Sequence, residues 1–297
     1  MKNQPLVSII TVNYKQPQVT CELLDSISQV GYQHLEVIVV DNETNLDLTG
    51  LFKCHYPEVE LIRNTENIGF AAANNMGIRR AKGDFIFLLN NDTTLPEGTI
   101  ELLLDTLSEP SIAAVSPIIK YFDQPNLIQY AGFTEVNKFT GRNSLVRSVT
   151  DTEVNVSTAY FHGAAVMLSR EAINATGLMP DGYFLYYEEL AWSRAFTNKG
   201  YTIKVATNCH VLHKESVSTG KQSPLKTYYQ TRNRLLFMKK YSSAAQWLVF
   251  ISYFYAISLG HNLLQFIIQN KPKHLRAFLE GIGSFNHLSN SEIELNL

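Results

Sequence analysis

The chain has 297 residues, 45% of them hydrophobic and 18% charged, with 16 Gly and 10 Pro. That much apolar material builds a packed core and excludes disorder, collagen and low complexity; the length suits one large α/β domain with an appendage. With 25 Lys+Arg against 27 Asp+Glu the formal net charge is only −2, so no global basic field marks a nucleic-acid partner. Cys21, Cys54 and Cys209 lack CxxC spacing, which argues against a disulfide framework or a zinc knuckle and fits a reducing compartment. The opening MKNQP carries no basic n-region or long apolar run, so no secretory signal is expected.

In chain order, Val7-Ser8-Ile9-Ile10-Thr11-Val12 is a β-branched strand, and Pro17 opens a helix with Val19, Leu23, Leu24 and Ile27 on one face, closed by Gly31. Glu36 to Val40 and Val59 to Ile62 are two further strands, the second followed by the turn-rich Asn64 to Gly69. Residues Phe70 to Ala81 read as a helix, Phe85 to Leu89 as a strand ending in Asn90-Asn91-Asp92, and Pro96 to Leu107 as a leucine-rich helix. This alternation predicts a mixed, mainly parallel sheet flanked by helices. The stretch from about Pro117 to Ser157 reads as irregular, with short strands and a loop over a substrate. Tyr160 to Leu168 reads as a strand containing Gly163, a place of close backbone or ligand approach. Glu188 and Glu189 sit among aromatics, and Tyr201 to Ala206 is again strand-like, followed by His210 and His213.

Polar residues therefore gather where apolar strands end: Asp41, then Asn67, then Asp92. In open parallel sheets, ligands bind outside the carboxyl ends of the strands. Any one of these residues is as readily a helix cap or turn former; three at successive strand ends point to a ligand.

The charge is unevenly spread. From Lys221 to Asn290 nine basic residues face Glu280 alone, leaving a net −10 on the rest. Such a basic tail on an acidic body suits an anionic neighbour, a membrane surface first of all. Tyr241 to Asn270 contains no Asp, Glu, Lys or Arg, and as a helix it would run roughly 45 Å. Ser258, His261, Asn262, Gln265 and Gln269 make a polar stripe on its second half, and Lys239-Lys240 and Lys271-Pro272-Lys273 flank it. The favoured reading is an interfacial amphipathic helix. Packing on its own domain or pairing in a homodimer comes next, and a true span third.

The chain has no GxGxxG after its first strand, no GxxxxGK[ST], no HExxH and no GxSxG, so dinucleotide binding, P-loop hydrolysis, zincin chemistry and the hydrolase elbow lack support. The pieces that remain are VSIITVNY (7–14), VIVVDN (37–42), NTENIGFAAANNMGI (64–78), GDFIFLLNNDT (83–93), GYFLYYEEL (182–190), NCHVLHKES (208–216) and YYQTRNRLLF (228–237). In this order and spacing they resemble family 2 glycosyltransferases of the GT-A fold, in the rhamnosyltransferase-like branch, over about Leu6 to Lys240.

The resemblance implies a glycosyltransferase domain over 1–222 and a helical, basic and apolar extension over 223–297. It implies a cytoplasmic, inverting enzyme, peripheral at the inner membrane face, that uses a uridine or thymidine diphosphate sugar. The acceptor would be a glycan or lipid-linked hydroxyl in cell-surface polysaccharide synthesis. The family's DxD-like motif falls on Asn90-Asn91-Asp92, so Asp92 is the implied ligand of Mn²⁺ or Mg²⁺, joined by His213 rather than His210; carboxylate, imidazole, phosphate and water form a reasonable set for either ion. By the same resemblance Val12 and Tyr14 flank the base, Asp41 accepts from its edge, and Asn67, Gly69, Asn75, Asn90 and Asn91 belong to the donor-binding segments. Glu189 takes the general-base position with Glu188 beside it. Two departures stand out: Asn90 replaces the first acid of the metal motif, and Ala191 stands where the family usually has Asp. They are what a non-catalytic glycan- or nucleotide-binding relative would show.

Overall fold

A computed structural model describes residues 4–42, 46–149, 154–214 and 223–290. The N-terminal half runs β1 (Val7–Asn13), α1 (Pro17–Ser28), β2 (Leu35–Asp41), α2 (Thr49–His55), β3 (Glu60–Arg63), α3 (Phe70–Arg80) and β4 (Phe85–Leu89). Then come β5 (Thr93–Thr94), α4 (Thr99–Thr106), β6 (Ile112–Tyr121), β7 (Ile128–Tyr130), β8 (Asn155–Ser157), β9 (Ala165–Ser169) and α5 (Arg170–Thr176). After a 3₁₀ turn at Asp181–Tyr183 follow α6 (Glu188–Asn198) and β10 (Thr202–His213). The C-terminal part is helical: α7 (Pro224–Tyr241), α8 (Ala244–Tyr253), a π-helical turn (Phe254–Ser258), α9 (Leu259–Ile268) and α10 (Pro272–Asn290).

The strands form one sheet in the order β3-β2-β1-β4-β9-β6-β10-β5. β3, β2, β1 and β4 are parallel neighbours, β9 is antiparallel between β4 and β6, and β10 is parallel to β6. Alternate side chains of each strand go to opposite faces. Ile9, Val37, Val39, Phe87 and Leu89 pack with α1, α2 and α4, while Ile10, Ile38, Val40, Ile86 and Leu88 pack with α3, α5 and α6. Both faces are covered, which is why these strands read as continuous apolar runs.

Three expectations need correction. The stretch read as irregular from Pro117 begins inside β6, a ten-residue strand buried over its first eight positions. The strand expected from Tyr160 starts only at Ala165, so Gly163 lies in the approach to it. The Tyr201–Ala206 strand continues to His213 through a register shift between Ala206 and His210.

A third apolar cluster joins the two parts of the chain. Tyr160, Tyr183, Leu190 and Ala191 pack with Leu235, Phe237, Phe250, Phe254 and Phe278. Helix α9 has no fully buried side chain. Of the polar stripe, Ser258 is buried, Asn262 half-buried and His261, Gln265 and Gln269 exposed, and Leu264, Ile267 and Ile268 are 59%, 63% and 73% exposed as well. Ala244–Ile268 is long and apolar enough to cross a membrane.

Candidate functional site

The carboxyl ends of β1 and β2 lie side by side, Asn13 opposite Asp41 in the register. Asp41 is fully buried and accepts a 2.7 Å hydrogen bond from Asn13 Nδ2. Asn13 Oδ1 accepts from Thr20 Oγ1 at 2.9 Å, and Thr20 Oγ1 accepts from Asn91 Nδ2 at 3.0 Å. One relay thus ties the end of β2 to the segment after β4 and fixes Asp41 Oδ1 in place. Val12 and Tyr14 flank Asn13, both half-buried, and the Lys15 ammonium sits 5.2 Å from the Tyr14 ring centroid.

The loop before α3 is built by amides. Asn67 Oδ1 accepts from the Gly69 N–H at 3.0 Å and from Asn42 Nδ2 at 3.3 Å. Gly69 has φ +88°, and a Cβ there would lie 2.6 Å from the Phe184 carbonyl oxygen; that same oxygen accepts from the Phe70 N–H at 2.8 Å. Only glycine fits both the dihedral and the approach. Asn75 is fully buried, its Nδ2 donating to Met179 O at 2.7 Å and its Oδ1 accepting from Met179 N at 3.0 Å. Both ends of its amide are committed to this backbone, so it positions the chain that leads to Asp181.

Asp92 and His213 are remote in sequence and meet through sheet register. Strand β5 pairs antiparallel with β10, Thr93 opposite His213, and the Lys214 N–H donates to Asp92 O at 2.9 Å. His213 Nε2 lies 3.1 Å from Asp92 Oδ1, with both side chains buried. On the far side of the ring, His213 Nδ1 is 2.8 Å from Gln129 Oε1. In the neutral tautomer whose Nδ1–H donates to that amide oxygen, Nε2 turns a lone pair toward the carboxylate. Two acceptors at 3.1 Å suit a shared cation, and the spacing matches adjacent ligands of an octahedral ion with bonds of about 2.1 Å. The residues therefore fit Mn²⁺ or Mg²⁺, with oxygens of diphosphate and water completing the shell. Among the described residues no group of three or more His, Cys, Asp or Glu forms a full metal cage. Asn90 is half-buried nearby, its N–H bonded to Ala164 O at 2.9 Å.

His162 closes this end of the site. Its ring stacks on Phe133 and lies 6.3 Å from that of His213, and its Nδ1 accepts from the Ala164 N–H at 3.1 Å. Burial, aided by His213, pushes its pKa down to about 3, so it is a neutral imidazole whose Nε2 carries the proton.

The segment before α6 is strained. Phe184, Tyr186 and Tyr187 have φ of 65°, 65° and 80°, a region costly for non-glycine residues. Asn233 Nδ2 holds it by donating to the carbonyls of Tyr183, Leu185 and Tyr186 at 3.0, 2.8 and 2.7 Å, and Arg232 Nη2 donates to Tyr183 O at 2.6 Å. These residues belong to the YYQTRNRLLF segment, to which the sequence assigned no role. The clamp places Glu188 and Glu189 on the first turn of α6.

Glu188 is buried, and desolvation, then the Glu189 charge, holds its pKa well above the usual carboxylate range. Desolvation lifts Glu189 to about 7, opposed by nearby backbone N–H groups. Glu189 lines a cavity of about 480 Å³ between the sheet domain and the C-terminal helices, walled by Tyr160, Tyr187, Phe133, Thr231, Arg234 and Asn262, among others. Phe133 is shared: it stacks on His162 on one side and lines the cavity on the other. A carboxylate with a pKa near neutrality, in a cavity whose Phe133 wall stacks on His162, can accept a proton at physiological pH. Ala191 is not at this cavity. It is fully buried in the apolar cluster with Tyr183 and Leu235, so an aspartate there would bury a carboxylate among hydrocarbon.

The comparisons with known proteins follow the same lines. The family model described as Glycosyl transferase family 2 matches residues 8–177. The low-salt glycan biosynthesis hexosyltransferase Agl10 of Haloferax volcanii is 25% identical over 242 residues, 77% of this chain and 74% of its own. The dTDP-rhamnosyl transferase RfbF of Shigella flexneri is 24% identical over 225 residues, 72% of this chain and 74% of its own. Among solved structures, the mannosyltransferase PcManGT of Pyrobaculum calidifontis, in complex with GDP-Man and Mn²⁺, aligns with a TM-score of 0.60 at 17% identity, over 98% of this chain and 77% of that one. The sheet with its flanking helices is thus of the GT-A type.

Proposed function

Because the chain belongs to glycosyl transferase family 2 and is a nucleotide-sugar glycosyltransferase of the rhamnosyltransferase-like kind, we propose that it is an inverting enzyme that uses a uridine or thymidine diphosphate sugar. The acceptor is a hydroxyl of a glycan or lipid-linked saccharide in cell-surface polysaccharide synthesis. The observation that carries this reading is Glu189, lifted to about 7, in a cavity that shares Phe133 with the Asp92–His213 end of the sheet.

Each residue then has a task. Asp41, held by Asn13, accepts from the N3–H of the base while Tyr14 and Val12 flank the ring. The Asn67–Gly69 loop and the Asn90–Asn91 segment approach the donor. Asp92 and His213 hold Mn²⁺ or Mg²⁺, which when bound neutralises the diphosphate leaving group. Glu189 takes the acceptor proton at its carboxylate, on the face of the sugar away from the diphosphate. Glu188, buried beside it, is held protonated by desolvation and by the Glu189 charge.

The direct test is a screen of nucleotide sugars by thermal shift with and without Mn²⁺, followed by a transfer assay. Saturation at one hundred times the dissociation constant raises stability by about 2.7 kcal/mol. Stabilisation by one uridine or thymidine diphosphate sugar, enhanced by Mn²⁺, and turnover of that sugar are expected. Binding without any hydrolysis or transfer would favour the non-catalytic reading raised by Asn90.

We place the enzyme in the cytoplasm, peripheral at the inner membrane face. Support comes from the exposed Leu264, Ile267 and Ile268 of α9, and from Lys239, Lys240, Lys271 and Lys273, which flank the charge-free stretch in sequence. Helix α10 packs on α7 and into the shared apolar cluster, so deleting 241–297 would strip the core as well as the surface. Replacing the exposed Leu264, Ile267 and Ile268 by serine avoids this. The triple variant is expected to fold normally but to lose sedimentation with phosphatidylglycerol vesicles, and high salt should weaken wild-type binding only in part. Unchanged sedimentation of the variant would leave this face as a packing or homodimer surface.

A further inference from the structure

The cavity beside Glu189 contains charge that the proposed transfer does not use. Arg234, on α7, lines it with its Nε and Nη2 shielded from solvent and without a hydrogen-bond partner among the described residues. Its guanidinium is flanked by the rings of Phe250 and Phe254, 5.5 Å from each centroid. Arg142 lines the same cavity. It follows a tight turn in which Asn137 Oδ1 accepts from the Phe139 and Thr140 N–H groups, and Gly141, at φ +62°, packs against Arg234. Neither arginine forms an ion pair with a carboxylate among the described residues.

A shielded guanidinium without a counter-charge is costly, and a second cation facing the same space adds to that cost. Among the described residues the only acid lining the cavity is Glu189. Tyr187 stands among all three, close enough to Glu189, Arg234 and Arg142 for each charge to act on its hydroxyl. The cavity therefore has a base at one part, two guanidiniums at another, and aromatic walls between them. A monocarboxylate offers one charge to such a pair, whereas a phosphate ester carries about −1.5 to −2 and three acceptor oxygens that match guanidinium forks.

We propose that this cavity is the acceptor site and that Arg142 and Arg234 bind a phosphate or diphosphate group on the acceptor, setting its hydroxyl at Glu189. The assignment rests on the glycosyl-transfer reading and names the chemistry of its acceptor. The phosphate could sit on a membrane lipid, since Leu264, Ile267 and Ile268 of α9 are exposed while its Asn262 lines the cavity, or on a water-soluble sugar phosphate.

The test titrates the full chain with phenyl phosphate in metal-free buffer by calorimetry. In parallel it measures binding to phosphatidylcholine vesicles with and without a polyprenyl phosphate. Wild type is expected to bind phenyl phosphate, Arg142→Ser to bind about tenfold to hundredfold more weakly, and Arg142→Ser/Arg234→Gln not at all. Arg142 is exposed, so its variant separates loss of binding from loss of folding. Asp92→Asn is expected to bind phenyl phosphate as wild type does, and Arg142→Ser to keep its Mn²⁺-dependent affinity for the nucleotide. Arg142-dependent preference for the doped vesicles assigns the phosphate to a lipid; Arg142-dependent phenyl phosphate binding without that preference assigns it to a soluble acceptor. The proposal is overturned if wild type ignores millimolar phenyl phosphate, if Arg142→Ser binds it equally well, or if Arg142→Ser loses nucleotide instead. Failure of the transferase reading would appear separately, as absence of Mn²⁺-dependent nucleotide binding in wild type.

Discussion

Glu189→Gln is expected to lower sugar transfer by about 10²- to 10⁴-fold while leaving donor affinity unchanged, because glutamine keeps the shape and hydrogen bonds but cannot accept the proton. The pH profile provides an independent check. A base with a pKa of about 7 is ionised only above that value, so wild-type turnover should rise through neutral pH and level off above it. The same shift acts on stability in the opposite sense. The folded state holds a proton that the unfolded chain has lost, so the folded protein loses stability as pH rises from the ordinary carboxylate range to about 7. Glu189→Gln should therefore flatten both the activity rise and this part of the stability curve. Glu188→Gln replaces a side chain that desolvation already holds protonated, and should leave the position of the activity profile unchanged with a smaller loss of turnover. Near-full transfer by Glu189→Gln at saturating substrates would remove it as the base.

Asp92→Asn is expected to abolish Mn²⁺-dependent donor binding, a loss larger than the roughly 10- to 100-fold that an outer partner of a metal ligand costs. Gln129→Leu supplies that comparison. It removes the acceptor at His213 Nδ1 without touching the metal-facing atoms, so it should weaken Mn²⁺ dependence within the smaller range. Both variants should fold. The Asp92 main chain is held by the Lys214 N–H and the Thr93–His213 pairing, neither of which involves the carboxylate. Nucleotide binding by Asp92→Asn with the wild-type Mn²⁺ response would show that the metal is held elsewhere.

The sequence by itself determined the parallel half of the sheet, β1 to β4, and the placing of polar residues at its strand ends. A strand covered on both faces must be apolar throughout, so β1, β2 and β4 are visible as uninterrupted runs, and Asp41 and Asn90 to Asp92 mark where they stop. The family motifs supplied the pairing of Asp92 with His213 as an implication, but spacing alone could not. That contact depends on the antiparallel register of β5 on β10, which forms only after the whole sheet has assembled. Tertiary structure also decided which asparagines are free to meet a ligand. Asn75 looks like its neighbours in the motif, yet both ends of its amide are bound to Met179, far along the chain.

The remaining decisions were likewise long-range. Three left-handed residues before α6 could not be read locally, because their strain is offset by Asn233 and Arg232 from a helix nearly fifty residues away. Ala191 takes an acid's place in the motif, but packing of α6 against α7 puts it in hydrocarbon. Periodicity revealed the polar stripe on α9 and not its direction. Because a helical pattern fixes only the angle between faces, the neighbouring helices decided that Ser258 and Asn262 turn inward while His261, Gln265 and Gln269 stay exposed beside Leu264, Ile267 and Ile268.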